Sequence, residues 1–416
     1  MDKLRINGGR PLHGAVPISG AKNAALPVMA ATLLASGVHR LRNVPLLRDT
    51  RTFARVLELL GAKVSFDGNL CQIDSTGVNS IEAPYELVKT MRASIYVLGP
   101  LLARLGAARV SLPGGCAWGP RPVNLHLAGL QAMGAALDIE HGYIVGKNVR
   151  LKGARFGFDV VSVGATAQLM MAAVLAEGTT VLENVAVEPD ITVLGDVLVA
   201  CGARIDGLGT RQLTIQGVSS MRPIDTTIIP DRIEAATFAA AAAITGGSLK
   251  LERVVPAHFE AALRKLEESG SKVERAHDSV TVTGPVRPKA VNVVTQPYPG
   301  FPTDMQAQMI AVCAIAGGTS VIEDTVYLDR FTHVPELARM GASIELKGNV
   351  AVVKGVERLS GAQVMATDLR ASASLVLAGL AAQGETVIDR IYHLDRGYES
   401  LEKKFSALGA RIQRVN

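Results

Sequence analysis

Two glycine-marked patterns each recur six times along this 416-residue chain, and both keep a period near 70. The first pattern runs out of an apolar stretch into a strand: GVHRLRNV from Gly37, GAARVSLP from Gly106, GTTVLENV from Gly178, GSLKLERV from Gly247, GTSVIEDT from Gly318 and GETVIDRI from Gly384, at intervals of 69, 72, 69, 71 and 66. The second interleaves with it: LGAKV at Gly61, MGAAL at Gly134, CGARI at Gly202, SGSKV at Gly270, MGASI at Gly341 and LGARI at Gly409, at intervals of 73, 68, 68, 71 and 68. Two independent markers with one period mean a repeated supersecondary unit. Each glycine follows a helical pattern and precedes a strand pattern, where a left-handed residue closes a helix.

The stretch before each first marker is apolar nearly all round, as in AALPVMAATLLA and LRASASLVLAGLAA, which predicts a buried helix. The stretch before the second is amphipathic, as in RTFARVLELLG. One unit therefore reads strand, buried helix, strand, half-exposed helix, further strand. Six units predict an α/β protein of two pseudo-symmetric three-unit domains, with helices inside and sheets outside. The expected domains are 20–229 and, discontinuously, 1–19 with 230–416, because the closing unit needs the strand Lys3 to Asn7. Aromatic residues are only 4% against 48% hydrophobic, so Ala, Val, Leu and Ile must fill these cores.

About four helical turns before each first marker stand Lys22, Arg92, Gly164, Arg232, Asp304 and Arg370. A helix N-terminus already favours anions, so a cation there is slightly unfavourable unless an anion binds. Any single such residue is most simply a solvated side chain, and Ser94, Asp304 or Asp368 could be helix caps. The recurrence favours an anion site, placed in a cleft between the two domains. A net charge of +5 fits cationic pockets better than a nucleic-acid face, and few aromatics are available to stack bases. The four cysteines, at 71, 116, 201 and 313, form no CxxC pair, which argues against disulfides and zinc. MDKLRINGG has no apolar signal-peptide core, and the apolar runs are too short for a bilayer, so a cytoplasmic protein is expected.

SLPGGCAWGPRPVNLH, residues 111–126, reads as a long loop with Cys116 at its tip and Arg121 nearby. A thiol on an exposed loop beside cations is reactive. Cys71, Cys201 and Cys313 read as core residues. Trp118 could anchor the loop, and His126 reads as a packing or capping residue.

Together these stretches resemble the UDP-N-acetylglucosamine enolpyruvyl transferases, which open bacterial peptidoglycan synthesis. The resemblance rests on SGAKNAALP (19–27), MRAS (91–94), LPGGC (112–116), RPV (121–123), SVGAT (162–166), PDRIEA (230–235), FPTDMQAQ (301–308), RFTHVPEL (330–337), GAQVMATDLRA (361–371) and HLDRGY (393–398). The cysteine loop separates that family from the shikimate-pathway enolpyruvyl transferases. The resemblance implies the two-domain inside-out α/β barrel of enolpyruvyl transferases. It implies transfer of enolpyruvyl from phosphoenolpyruvate to the sugar 3′-hydroxyl, with no metal or organic cofactor, in a protein taken as a monomer. It makes Cys116 the general acid, Asp304 the base, and Lys22 and Arg396 part of the catalytic set. Lys22, Arg121 and Arg396 would hold the phosphate, and Arg330 and Arg370 the carboxylate. Asn23, Arg92, Arg121, Pro122, Val123, Asn124, Leu125, Ser162, Val163, Gly164, Asp304 and Val326 would bind the sugar nucleotide.

The sequence departs from the pattern at Tyr96, Asn124, Val160, Asp190 and Leu328–Asp329, and no departure removes a reacting group. A transferase with another nucleotide or a shikimate-type acceptor, or a catalytically idle regulatory homologue, is the alternative reading.

Overall fold

The computed structural model describes residues 2–88, 91–112, 123–147 and 149–415, with only the backbone described for Val88 and Arg92. The chain divides into two compact units, residues 20–229 and residues 1–19 with 230–416.

The unit of residues 20–229 holds three four-stranded sheets, and each repeats one arrangement. A short edge strand lies parallel to a longer strand, which pairs antiparallel with the second strand of a hairpin. In the first sheet these are Asp225–Thr227, Val38–Arg42, Leu70–Asp74 and Lys63–Asp67. The edge strand comes from the far end of the unit and closes it on its own beginning. The other two sheets are built around Ala108–Ser111 and Thr179–Glu183.

The second unit repeats the arrangement around Ser248–Glu252, Thr319–Glu323 and Glu385–Asp389. Two of its strands come from the start of the chain. His13–Pro17 is the parallel edge beside Ser248–Glu252. Lys3–Asn7 lies between Glu385–Asp389 and Arg411–Val415, antiparallel to both.

Strands bury every second residue, as in Leu249 and Leu251, so one face of each sheet meets the core. The helices following the edge strands are buried on all sides. In Arg232–Thr245 every residue from Ile233 to Ile244 is buried. In Leu369–Ala381 every residue from Arg370 to Leu380 is. These helices pack against each other and against Gln306–Ala314, and the alanine run from Ala239 to Ala243 lets them approach closely. Phe238 packs against Phe405 with the rings tilted at 41° and their centroids 4.6 Å apart. Burying a side chain of that size contributes about 2–3 kcal/mol.

The marker glycines take positive φ wherever the period places them, with one exception. Gly37, Gly178, Gly318 and Gly384, however, do not close a helix as expected. Their helices end earlier, at Leu34, Ala173, Ala314 and Ala381, and each glycine instead turns the chain into the following strand. In the fourth repeat Gly246 (φ +66°) ends the helix instead of Gly247. Gly247 is needed for space, since a Cβ there would lie 2.1 Å from the carbonyl oxygen of Leu12. Asp231 and Asp368 cap their helices by accepting N–H bonds from Ile233 and Glu234, and from Arg370 and Ala371. Ser94 lies inside a 3₁₀ turn, Arg92–Val97, and does not cap. Asp304 makes no cap either, for its carboxylate is engaged elsewhere.

Candidate active site

Asp304 sits in the 3₁₀ turn Thr303–Met305, directly before the buried helix Gln306–Ala314. Its Oδ1 accepts from Arg330 Nη1 at 2.7 Å and its Oδ2 from Arg370 Nη2 at 2.9 Å. Both guanidiniums are buried, with side-chain exposures of 9% and 3%, while the Asp304 carboxylate keeps 25%. Burial alone would raise the Asp304 carboxyl, but Arg370 and Arg330 hold it well below the usual carboxylate range. Burial likewise works against the Arg370 cation, and the Asp304 carboxylate overcomes it. One carboxylate therefore faces two buried cations, a local excess of positive charge beside a partly open oxygen pair.

Behind Arg370 lies a buried polar network. Arg370 Nη1 donates to the Tyr398 hydroxyl at 3.3 Å, and that hydroxyl is 2.9 Å from Thr237 Oγ1. Gln308 Nε2 donates to both, at 3.3 and 3.2 Å. Arg370, Thr237 and Gln308 each interrupt a buried apolar helix, which is where a polar group needs a partner. Arg396 ends the 3₁₀ turn Ile391–Arg396, two residues before Tyr398. Val326, 38% exposed, lies on the loop that leads to Arg330.

In the unit of residues 20–229, Lys22 opens the helix Lys22–Ala31, and its Nζ lies 3.2 Å from Asp49 Oδ2, both side chains largely buried. Asn23 beside it is exposed. The N-terminus of Val163–Ala173 is capped by Ser162, whose Oγ accepts from the Ala165 N–H at 3.3 Å. The N–H groups of Val163 and Gly164 have by position no acceptor within the helix. A Cβ on Gly164 would lie 3.2 Å from the His126 ring and 3.9 Å from the Tyr96 hydroxyl. The turn Arg92–Val97, the helix Asn124–Ala132 and the start of Val163–Ala173 therefore converge on one point. This brings together the segments holding Arg92, Val123, Asn124, Leu125, Ser162, Val163 and Gly164. Asn124 is exposed, Val123 and Leu125 are half-buried, and His126 is buried against Gln168. Val160 is exposed.

Cys116, Trp118, Arg121 and Pro122 lie outside the described residues. Cys71, Cys201 and Cys313 are buried thiols, and burial pushes Cys71 up to about 12 and Cys313 up to about 11. Sequence reasoning missed Asp49, Thr303, Asp324, Thr237, Gln308 and Tyr398 as partners of the site. Of these, Thr303, Gln308 and Tyr398 stood in recognised motifs. Among the described residues, no helix is long and apolar enough to cross a membrane.

Residues 6–405 match the family model described as EPSP synthase (3-phosphoshikimate 1-carboxyvinyltransferase). The chain is 58% identical, over 100% of both chains, to the UDP-N-acetylglucosamine 1-carboxyvinyltransferase of Geobacter metallireducens. Among solved structures, the enolpyruvyl transferase NikO from Streptomyces tendae superposes with a TM-score of 0.88 at 28% identity, covering 100% of this chain and 99% of that one. EPSP synthase from Acinetobacter baumannii shares the fold, with a TM-score of 0.76 at 17% identity over the whole of both chains.

Proposed function

Because this chain belongs to the family of enolpyruvyl (1-carboxyvinyl) transferases, we propose that it transfers enolpyruvyl from phosphoenolpyruvate to the 3′-hydroxyl of UDP-N-acetylglucosamine, releasing phosphate. This is the step that commits the sugar nucleotide to peptidoglycan synthesis, in a cytoplasmic and monomeric enzyme. The observation that carries the reading is the pair of buried guanidiniums, Arg330 and Arg370, gathered around one partly exposed carboxylate. Two such cations suit a small substrate carboxylate, and planar forks hold it bidentately. The start of Val163–Ala173, with His126 and Tyr96 against Gly164, supports a diphosphate there.

The reaction runs as addition and then elimination. The sugar hydroxyl oxygen bonds to C2 of phosphoenolpyruvate, its proton passes to the Asp304 carboxylate, and C3 takes a proton from the Cys116 thiol. The tetrahedral adduct then loses a C3 proton and phosphate, which restores the double bond as an enol ether. Lys22, Arg121 and Arg396 hold the phosphate as its charge grows, and Arg330 and Arg370 hold the carboxylate. The Asp49 carboxylate, 3.2 Å from the Lys22 ammonium, keeps that cation in place. Asn23, Arg92 and Val326 position the sugar, Arg121, Pro122, Val123, Asn124 and Leu125 the uridine, and Ser162, Val163 and Gly164 the diphosphate.

The test is phosphate release from phosphoenolpyruvate with and without UDP-N-acetylglucosamine. Release that depends on the sugar nucleotide is expected. Release with shikimate 3-phosphate or another nucleotide instead would move the acceptor, and no release with any acceptor would remove the activity.

A further inference from the structure

Asp324 lies outside every motif that pointed to the reaction, yet it is fully buried and accepts hydrogen bonds at both oxygens. Its Oδ1 accepts from Thr295 Oγ1 at 2.7 Å and from the N–H groups of Val326 and Tyr327 at 3.0 and 2.9 Å. Its Oδ2 accepts from Thr303 Oγ1 at 2.7 Å. Asn349 brackets the same residue, since Asp324 N–H donates to the Asn349 carbonyl and Asn349 Nδ2 donates to the Asp324 carbonyl. A buried carboxylate this well supplied with donors is a fixed point in the structure.

Two of its partners reach Arg330. Thr303 gives its proton to Asp324, so its lone pairs face outward, and one accepts from Arg330 Nη1 at 3.1 Å. The same Nη1 donates to Asp304 Oδ1, one residue along from Thr303. Tyr327, whose N–H is bound to Asp324, places its ring against the Arg330 guanidinium, 5.4 Å from ring centroid to Cζ. Asp324 thus joins two segments distant in sequence, the 303–305 turn that carries Asp304 and the 324–330 loop that carries Val326 and Arg330.

We propose that Asp324 is a positioning residue for the transfer reaction: through the Thr303 hydroxyl and the 326–327 backbone it fixes the Arg330 guanidinium against Asp304 and in register for the substrate carboxylate. The inference rests on the reading of the reaction given above. Asp324 touches no substrate and acts only through Thr303, Tyr327 and Arg330.

The test separates positioning from mere fold stability with paired variants at the relay. Thr303→Val keeps the shape and removes the hydroxyl, whereas Thr303→Ser keeps the hydroxyl. Losing a hydrogen bond to a charged group is expected to raise KM for phosphoenolpyruvate about tenfold in Thr303→Val, while the Ser variant stays within about twofold of wild type. KM for UDP-N-acetylglucosamine should be nearly unchanged in both, whereas the melting temperature should fall in Thr303→Val, which takes a donor from a buried carboxylate oxygen, and stay near wild type in Thr303→Ser. Asp324→Asn puts an amide donor where Thr303 needs an acceptor, and it should reproduce the phosphoenolpyruvate defect. If that variant does not fold, the Thr303 pair decides alone. Wild-type KM and kcat in Thr303→Val, or equal losses in the Val and Ser variants, would overturn the proposal. Exchange of the Arg330 side-chain N–H protons, followed by NMR, needs no turnover. Faster exchange in Thr303→Val than in Thr303→Ser supports the positioning role even if the wild-type protein proves not to use these substrates, and equal exchange refutes it.

Discussion

Asp304 already pairs with both guanidiniums that the proposed reaction offers to the carboxylate of phosphoenolpyruvate, and leaves one positive charge uncompensated. With its carboxyl held well below the usual range, it stays ionised at neutral pH but is a weak base. The sign for stability follows. A lowered carboxylate contributes stability that is present above its unfolded pKa, near 3.9, and is lost as pH falls through the lowered value. For catalysis the sign is opposite, since a proton is taken more readily once a second carboxylate shares Arg330 and Arg370. We predict that Asp304→Asn lowers kcat at least about 100-fold. The variant should also gain more melting temperature from added phosphoenolpyruvate than wild type does, because the substrate supplies the missing anion. Equal gains in both proteins would show that the substrate carboxylate does not compete with Asp304. At this scale the sequence was partly legible. Cations at helix starts pointed to Lys22 and Arg370, because a helix end makes a lone cation conspicuous. Asp324 reaches Thr303 across 21 residues and Tyr398 reaches Arg370 across 28, and no local spacing records such a contact.

At the scale of elements, the twelve glycines gave the period, since a left-handed residue, whether at a helix end or at the entry to a strand, favours the one residue without a Cβ. The shift from Gly247 to Gly246 could not be read, because paired glycines satisfy the pattern at either position. Nor could the pairing of Asp225–Thr227 with Val38–Arg42, a strand too short to show alternation. That junction holds a titratable group. His39 is fully buried, accepts from the Ile224 N–H at Nδ1 (2.9 Å) and faces Ser75 Oγ at Nε2 (2.9 Å). Burial lowers it to about 4, and a proton at Nδ1 would oppose the Ile224 N–H. A histidine lowered in this way contributes stability that is whole above about 6.5 and is lost as pH falls toward its folded value. Urea unfolding at pH 7, 5.5 and 4.5 is predicted to show His39→Gln losing less stability than wild type, by about 1.4 kcal/mol per pH unit. Parallel pH profiles would mean that His39 is charged in the native state or spared in the unfolded one.

For the whole molecule, the relevant fact is that one unit is continuous and the other is not. Residues 20–229 contain every strand of their three sheets and a separate apolar core. Residues 230–416 lack the central strand Lys3–Asn7 and the edge strand His13–Pro17. Residues 20–229 expressed alone should therefore melt cooperatively, and residues 230–416 alone should not, as circular dichroism would show. Cooperative melting of both fragments would mean that the first strands are dispensable.

The place of Lys3–Asn7 also sets a schedule. A ribosome makes that strand long before its neighbour Arg411–Val415, with about 400 residues between them. At about 5–20 residues per second, the wait lasts roughly 20 to 80 seconds. For most of that time both edges of the strand are unpaired, with Lys3 and Arg5 as charges that discourage sticking to other chains. The continuous unit can finish while synthesis proceeds, whereas the one bearing Asp304, Arg330 and Arg370 must wait for both partners of Lys3–Asn7, so its third sheet is completed late.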